Sequence, residues 1–131
     1  MPALDFEKVE TWLCKVADNH GFEMVRVNYL LTDDANILDY NIKYLNHSYF
    51  TDIITFDYTS GNRIAGDIVI SLDTVRSNAA QLGVDYRSEL LRVIVHGVLH
   101  LCGINDKLPG EREIMEQNEN EALELFNQCF S

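Results

Sequence analysis

Apolar residues at Phe6, Val9, Trp12, Leu13 and Val16 recur every three or four positions, the period of one helical face. The pattern predicts an amphipathic helix over residues 6–16. Asn19-His20-Gly21 supplies its stop, with Gly21 suited to the left-handed backbone that closes a helix. The rhythm then changes. Residues 22–31 alternate in part, with Phe22 and Met24 set against Glu23 and Arg26, and they carry Val25, Val27 and Tyr29. That mixture predicts a strand. Thr32-Asp33-Asp34 has capping chemistry and leads into a helix through Ile37, Leu38, Tyr40, Ile42, Tyr44 and Leu45. Residues 51–58 form a second strand, rich in β-branched and aromatic side chains, and residues 64–71 form a third. The short turn Thr59-Ser60-Gly61-Asn62 between them predicts a hairpin. Three helices complete the chain: residues 73–82, ended by Gly83; Tyr86 to Leu101, ended by Gly103; and Glu111 to Phe130, entered through Pro109-Gly110. Helix, strand, helix, two strands and three helices make an α+β fold, a single domain in which helices cover a small mixed sheet.

Composition bounds this picture without redirecting it. The chain has 131 residues, of which 47% are hydrophobic and 24% charged, enough for one core. No apolar run approaches the roughly 20 residues of a membrane helix, and the first residues lack the basic and apolar regions of a signal peptide. Cys14, Cys102 and Cys129 are an odd, widely spaced set, which points to a reducing, cytoplasmic setting rather than a disulfide framework. Cys102, Cys14 and Cys129 all read as packing residues. The net charge of −11 disfavours nonspecific binding to nucleic acid, and neither DNA nor a membrane is an expected partner. The charge is uneven, however. Six glutamates and one arginine lie between Glu111 and Glu124, whereas residues 63–92 are far more balanced.

The penultimate helix carries the candidate chemistry. Leu90, Leu91, Val93, Ile94, Val95, Val98, Leu99 and Leu101 make it apolar around most of its circumference, so it belongs in the core. Two histidines interrupt it. His96 and His100 are four residues apart, which places both imidazoles on one helical face, as two ligands of one metal require. Gly103 can turn the chain back, and Asp106 follows at once. His96, His100 and Asp106 thus offer three ligands, with a fourth position open to water, the arrangement of a catalytic zinc site. The bland alternative is two core histidines bonded to neighbouring side chains. Gly97 stands where zinc proteases of the His-Glu-x-x-His kind carry their general base, which argues against peptidase chemistry. It suits a close approach by substrate or, more simply, tight packing against a neighbouring element.

The stretch His96-Gly97-Val98-Leu99-His100-Leu101-Cys102-Gly103 resembles the signature of the YbeY family of metal-dependent endoribonucleases, His-Gly-x-x-His-Leu-x-Gly-x-Asp-His. Upstream, Leu45-Asn46, Thr51-Asp52-Ile53-Ile54-Thr55-Phe56 and Gly66-Asp67-Ile68-Val69-Ile70-Ser71 resemble further family segments, in the same order. Two departures stand out. Asp106 occupies the place of the third family histidine, with Asn105 before it. Phe50 follows Tyr49 where the family has an arginine associated with activity, and a short loop is missing there. Arg63, Arg76 and His47 are candidate substitutes, although no motif assigns them. Asp67 reads equally as a partner orienting an imidazole or as a turn residue.

The resemblance implies an α+β fold and cleavage of single-stranded RNA in ribosomal RNA processing, with the small ribosomal subunit as partner. On the residues alone, the metal would lower the pKa of bound water or polarise a phosphoryl oxygen. Two other readings stay open: a metal-dependent hydrolase of another substrate, and a ribosome-assembly factor whose metal is structural.

Overall fold

The computed structural model describes residues 4–45 and 52–130. Asn46, His47, Tyr49, Phe50 and Thr51, named above in the family comparison, lie outside the described residues. The elements follow the order read from the pattern: α1 (Phe6–Asn19), β1 (Glu23–Thr32), α2 (Asp34–Leu45), β2 (Ile53–Asp57), β3 (Arg63–Ser71), α3 (Leu72–Leu82), α4 (Tyr86–Leu101) and α5 (Glu111–Phe130).

The sheet has three strands in the order β1-β3-β2. β1 runs parallel to β3, and β2 pairs antiparallel with β3, so the sheet is mixed and the hairpin is present. The alternation along β1 is imperfect because the ladder shifts register between Met24 and Arg26, leaving Val25 out on the surface. On β3 the alternation sorts residues into two cores. Ile68 and Ile70 join the main core, whereas Val69 faces the other way, into a small cluster with Ile37 of α2 and Ile54 of β2. α2 therefore covers one face of the sheet, and the main core lies on the other.

That main core is organised around α4. It packs on β2, β3, α1, α3 and α5, and ten of its sixteen residues are buried. This is the buried central helix that its sequence dictates. Two glycines let it come close to the sheet. A Cβ on Gly97 would stand 2.9 Å from Cδ1 of Ile68 and 3.0 Å from Cδ1 of Ile53. A Cβ on Gly66 of β3 would stand 2.7 Å from the Phe56 carbonyl oxygen and 3.1 Å from both Leu101 methyls. Gly97 therefore serves helix–sheet packing, the simpler of its two readings.

α1 closes the core from the side. Asp5 caps it, accepting from the backbone N–H groups of Glu7 and Lys8. Trp12 is fully buried, donates its indole N–H to the Ala122 carbonyl at 2.7 Å, and meets Phe126 edge-on. His20 is the C-cap of α1, a structural place. Cys102 is buried as expected, and Cys129 is half-buried. Cys14 is not a packing residue: it lies on the outward side of α1, exposed.

Candidate active site

One stripe of α4 is polar. Glu89, which is buried, and Arg92, His96 and His100, which are half-buried, follow one another at helical spacing. The first three open onto a cleft of about 690 Å³ between α4 and α5. Asp52, just before β2, closes one side of it. Asp106, returned by the turn after α4, closes another. That turn depends on Gly103, whose φ of 88° lies in the left-handed region. α5 supplies the facing wall through Met115, Glu116, Glu119 and Asn120, with Arg112 at the rim.

His96 sits at the centre of the polar contacts. Its Nδ1 is 2.7 Å from Oε2 of Glu119, and its Nε2 is 3.4 Å from Oδ2 of Asp106. The other Glu119 oxygen, Oε1, accepts from Nη1 of Arg92 at 2.9 Å. Nη2 of Arg92 donates to Oδ1 of Asn120 at 2.7 Å. The Glu119 carboxylate is thus shared between the guanidinium and the imidazole.

Burial and charge oppose one another here. Burial alone would lower the His96 pKa, but the Glu119 hydrogen bond and the charges of Glu119, Asp106 and Asp52 outweigh it and raise the value. For Glu119 burial pushes upward, yet the bonds and charges of His96 and Arg92 win and hold the carboxyl below its ordinary value. Among the described residues, no cation is hydrogen-bonded to Asp52 or Glu89. Burial raises both, with His96 pulling back on Asp52 and Arg92 on Glu89. The charges that act on His96 are therefore those of carboxylates, Glu119 first.

The structure brings His96 and Asp106 together. His100 is half-buried in the last turn of α4. Among the described residues, no three His, Cys, Asp or Glu side chains stand close enough to hold one metal ion. Among the described residues, Asp67 makes no hydrogen bond to an imidazole: its carboxylate accepts from Nδ2 of Asn28 on the neighbouring strand, at 3.0 Å. Arg63 and Arg76 lie away from the cleft; its two arginines are Arg92 and Arg112.

Pattern reading missed Glu119, which it absorbed into an acidic run. The signal was available. The buried residues of α5 are Met115, Glu119, Ala122 and Phe126, spaced by four, three and four. A glutamate stands on the apolar stripe, where a charge is costly unless paired.

The profile of the family described as endoribonuclease YbeY matches residues 4–127. The chain belongs to the YbeY family. Curated relatives named endoribonuclease YbeY agree with it over nearly the whole length. That of Parabacteroides distasonis is 55% identical, with 96% of this chain and 89% of the relative covered. That of Phocaeicola vulgatus is 57% identical, with 94% and 91% covered. That of Bacteroides thetaiotaomicron is 53% identical, with 95% and 91% covered. A Thermotoga maritima protein solved in solution shares the fold, with a TM-score of 0.69 at 24% identity over 92% of this chain and 79% of that one. The YbeY match spans α1 through most of α5, so it includes the whole His96, Asp106 and Glu119 arrangement.

Proposed function

We propose that this YbeY-family chain is a metal-dependent endoribonuclease that cuts single-stranded RNA in ribosomal RNA processing and ribosome maturation. In this reading His96, His100 and Asp106 would hold the metal, a zinc ion. The carrying observation is the orientation of His96. An ionised carboxylate only accepts hydrogen bonds, so the Glu119 contact puts the ring proton on Nδ1. A neutral ring then presents its Nε2 lone pair to Asp106, 3.4 Å away. Two acceptors facing one another are stable only with a proton or a cation between them. Ligands about 2.0–2.1 Å from a tetrahedral zinc lie roughly 3.3–3.4 Å from each other, the same separation. His100, one turn beyond His96 on the same helical stripe, would complete the set by turning its side chain toward the pair formed by His96 and Asp106. The donor set, two imidazoles and a carboxylate, suits zinc.

Held there by His96, His100 and Asp106, a divalent metal would supply a water of lowered pKa and polarisation of a phosphoryl oxygen. The protein's own groups do the rest. Arg92 and Arg112 offer guanidinium donors to phosphate in a cleft whose other charges are mostly acidic. Glu119 and Arg92 hold the His96 ring still. The acidic surroundings and the net charge of −11 repel RNA that is not engaged by these donors. No helix among the described residues is long and apolar enough to cross a membrane. We place the protein in the cytoplasm, acting on RNA of the small ribosomal subunit.

The test is cleavage of a single-stranded precursor ribosomal RNA fragment. Zinc-loaded protein should cut it, a chelator should stop cleavage, and added zinc should restore it. Full activity of a His96→Ala, His100→Ala double variant would sink the proposal. Co-sedimentation with small subunits without any cleavage would favour an assembly factor with a structural metal.

A further inference from the structure

We infer that Glu119, on α5, is the positioning residue for His96, and that Arg92 fixes Glu119 in that role. The inference rests on the metal-site reading above and adds to it a group from a different helix.

Glu119 is only 6% exposed and occupies an α5 position whose neighbours on the same stripe, Met115, Ala122 and Phe126, are apolar core residues. An aliphatic side chain there would avoid the cost of burying a carboxylate, and replacing buried ion pairs by apolar residues is often neutral or stabilising. The fold therefore does not require an ion pair at this place. The geometry gives a reason for the charge. Oε1 is engaged by Arg92 at 2.9 Å, which leaves Oε2 aimed at Nδ1 of His96 at 2.7 Å. Arg92 is itself braced by Asn120 at 2.7 Å, so the carboxylate is held from behind.

Two consequences follow for the ring. The proton is held on Nδ1, so Nε2 keeps a free lone pair. The ring plane is also held with Nε2 toward Asp106 rather than free to flip. A carboxylate in this place also makes the imidazole a stronger ligand. None of this involves Glu119 touching substrate or metal. It acts through His96, across the α4–α5 contact.

The experiment compares wild-type protein with Glu119→Gln, Glu119→Leu and His96→Ala. Zinc affinity is measured by chelator competition, the protonated His96 nitrogen by NMR of the metal-free protein, and thermal stability in the same state. Removing such a partner typically weakens metal binding by about 10–100-fold. Glu119→Leu should show that loss while the metal-free protein stays folded, and its His96 should no longer be held with the proton on Nδ1. Glu119→Gln should fall between, because one of the two oxygens that now accept from Arg92 and His96 becomes an amide NH2, which only donates. Wild-type zinc affinity and an unchanged tautomer in both Glu119 variants, with binding lost in His96→Ala, would overturn this inference alone. Equal zinc binding by wild type and His96→Ala would overturn the metal site and this inference with it. If Glu119→Leu fails to fold, Glu119→Gln decides by the same two readouts.

Discussion

α4 has two sides, and they were built under different rules. On the sheet side Gly97 packs against Ile53 and Ile68, and Leu101 against Gly66, and nothing there has to be charged. On the cleft side Glu89, Arg92 and His96 face Asp52, Asp106 and Glu119, and almost every group there depends on another's charge. The sheet side is a packing problem, solved locally by residue volume. The cleft side is an electrostatic one, and its partners come from three separate elements. One helix can therefore anchor the fold and present chemistry, because the polar stripe is narrow.

If the two sides are separable, substitutions on one should leave the other's property standing. The largest effect is expected on the cleft side. His96→Ala should reduce RNA cleavage to that of chelator-treated protein while thermal unfolding remains cooperative, checked by gel assay and calorimetry. Loss of the folded state instead would break the separation. On the packing side, Leu90→Ala, at a fully buried position, should cost about 2–5 kcal/mol in urea unfolding. Zinc affinity should be retained at low temperature, where the variant is folded.

A smaller contrast lies within the packing side. Gly66→Ala should cost about 1–3 kcal/mol, because the added Cβ meets the backbone carbonyl of Phe56 on the paired strand. Gly97→Ala should cost less. Its Cβ meets the ends of Ile68 and Ile53, which can shift, and alanine gains up to about 1 kcal/mol in a helix. Equal losses in urea midpoint would mean that α4 and the sheet yield as one body.

The smallest effect is chemical. Burial pushes the Cys102 thiol up to about 11, so at pH 8 it is almost entirely protonated. Alkylation of folded protein at pH 8, read by mass spectrometry, should label exposed Cys14 well before Cys102. Rapid Cys102 labelling would show that the C-terminal end of α4 opens.

How much was legible follows the same division. The end of α4 could be read from Gly103 and the start of α5 from Pro109-Gly110, and the hairpin could be read from its short polar turn. The exposed Cys14 could not, because a cysteine on an amphipathic helix gives no sign of which edge it occupies. Glu119 could have been noticed from its place on an apolar stripe, but its partner could not, since no spacing along the chain links it to His96. The same holds for Arg92. It stands one turn before His96, yet its hydrogen bonds go to Glu119 and Asn120 on another helix.

The sequence by itself determined the element order, the buried character of α4, and the pairing of His96 with His100 on one helical face. Periodicity is local, and a helix converts it directly into geometry. Only the tertiary structure decided which carboxylates surround His96 and which way its ring points. Those depend on α4, α5, the turn after Gly103 and the start of β2 converging from distant parts of the chain. The candidate site therefore begins as a local His pair and is completed by long-range contacts, with Glu119 the group that most changes its chemistry.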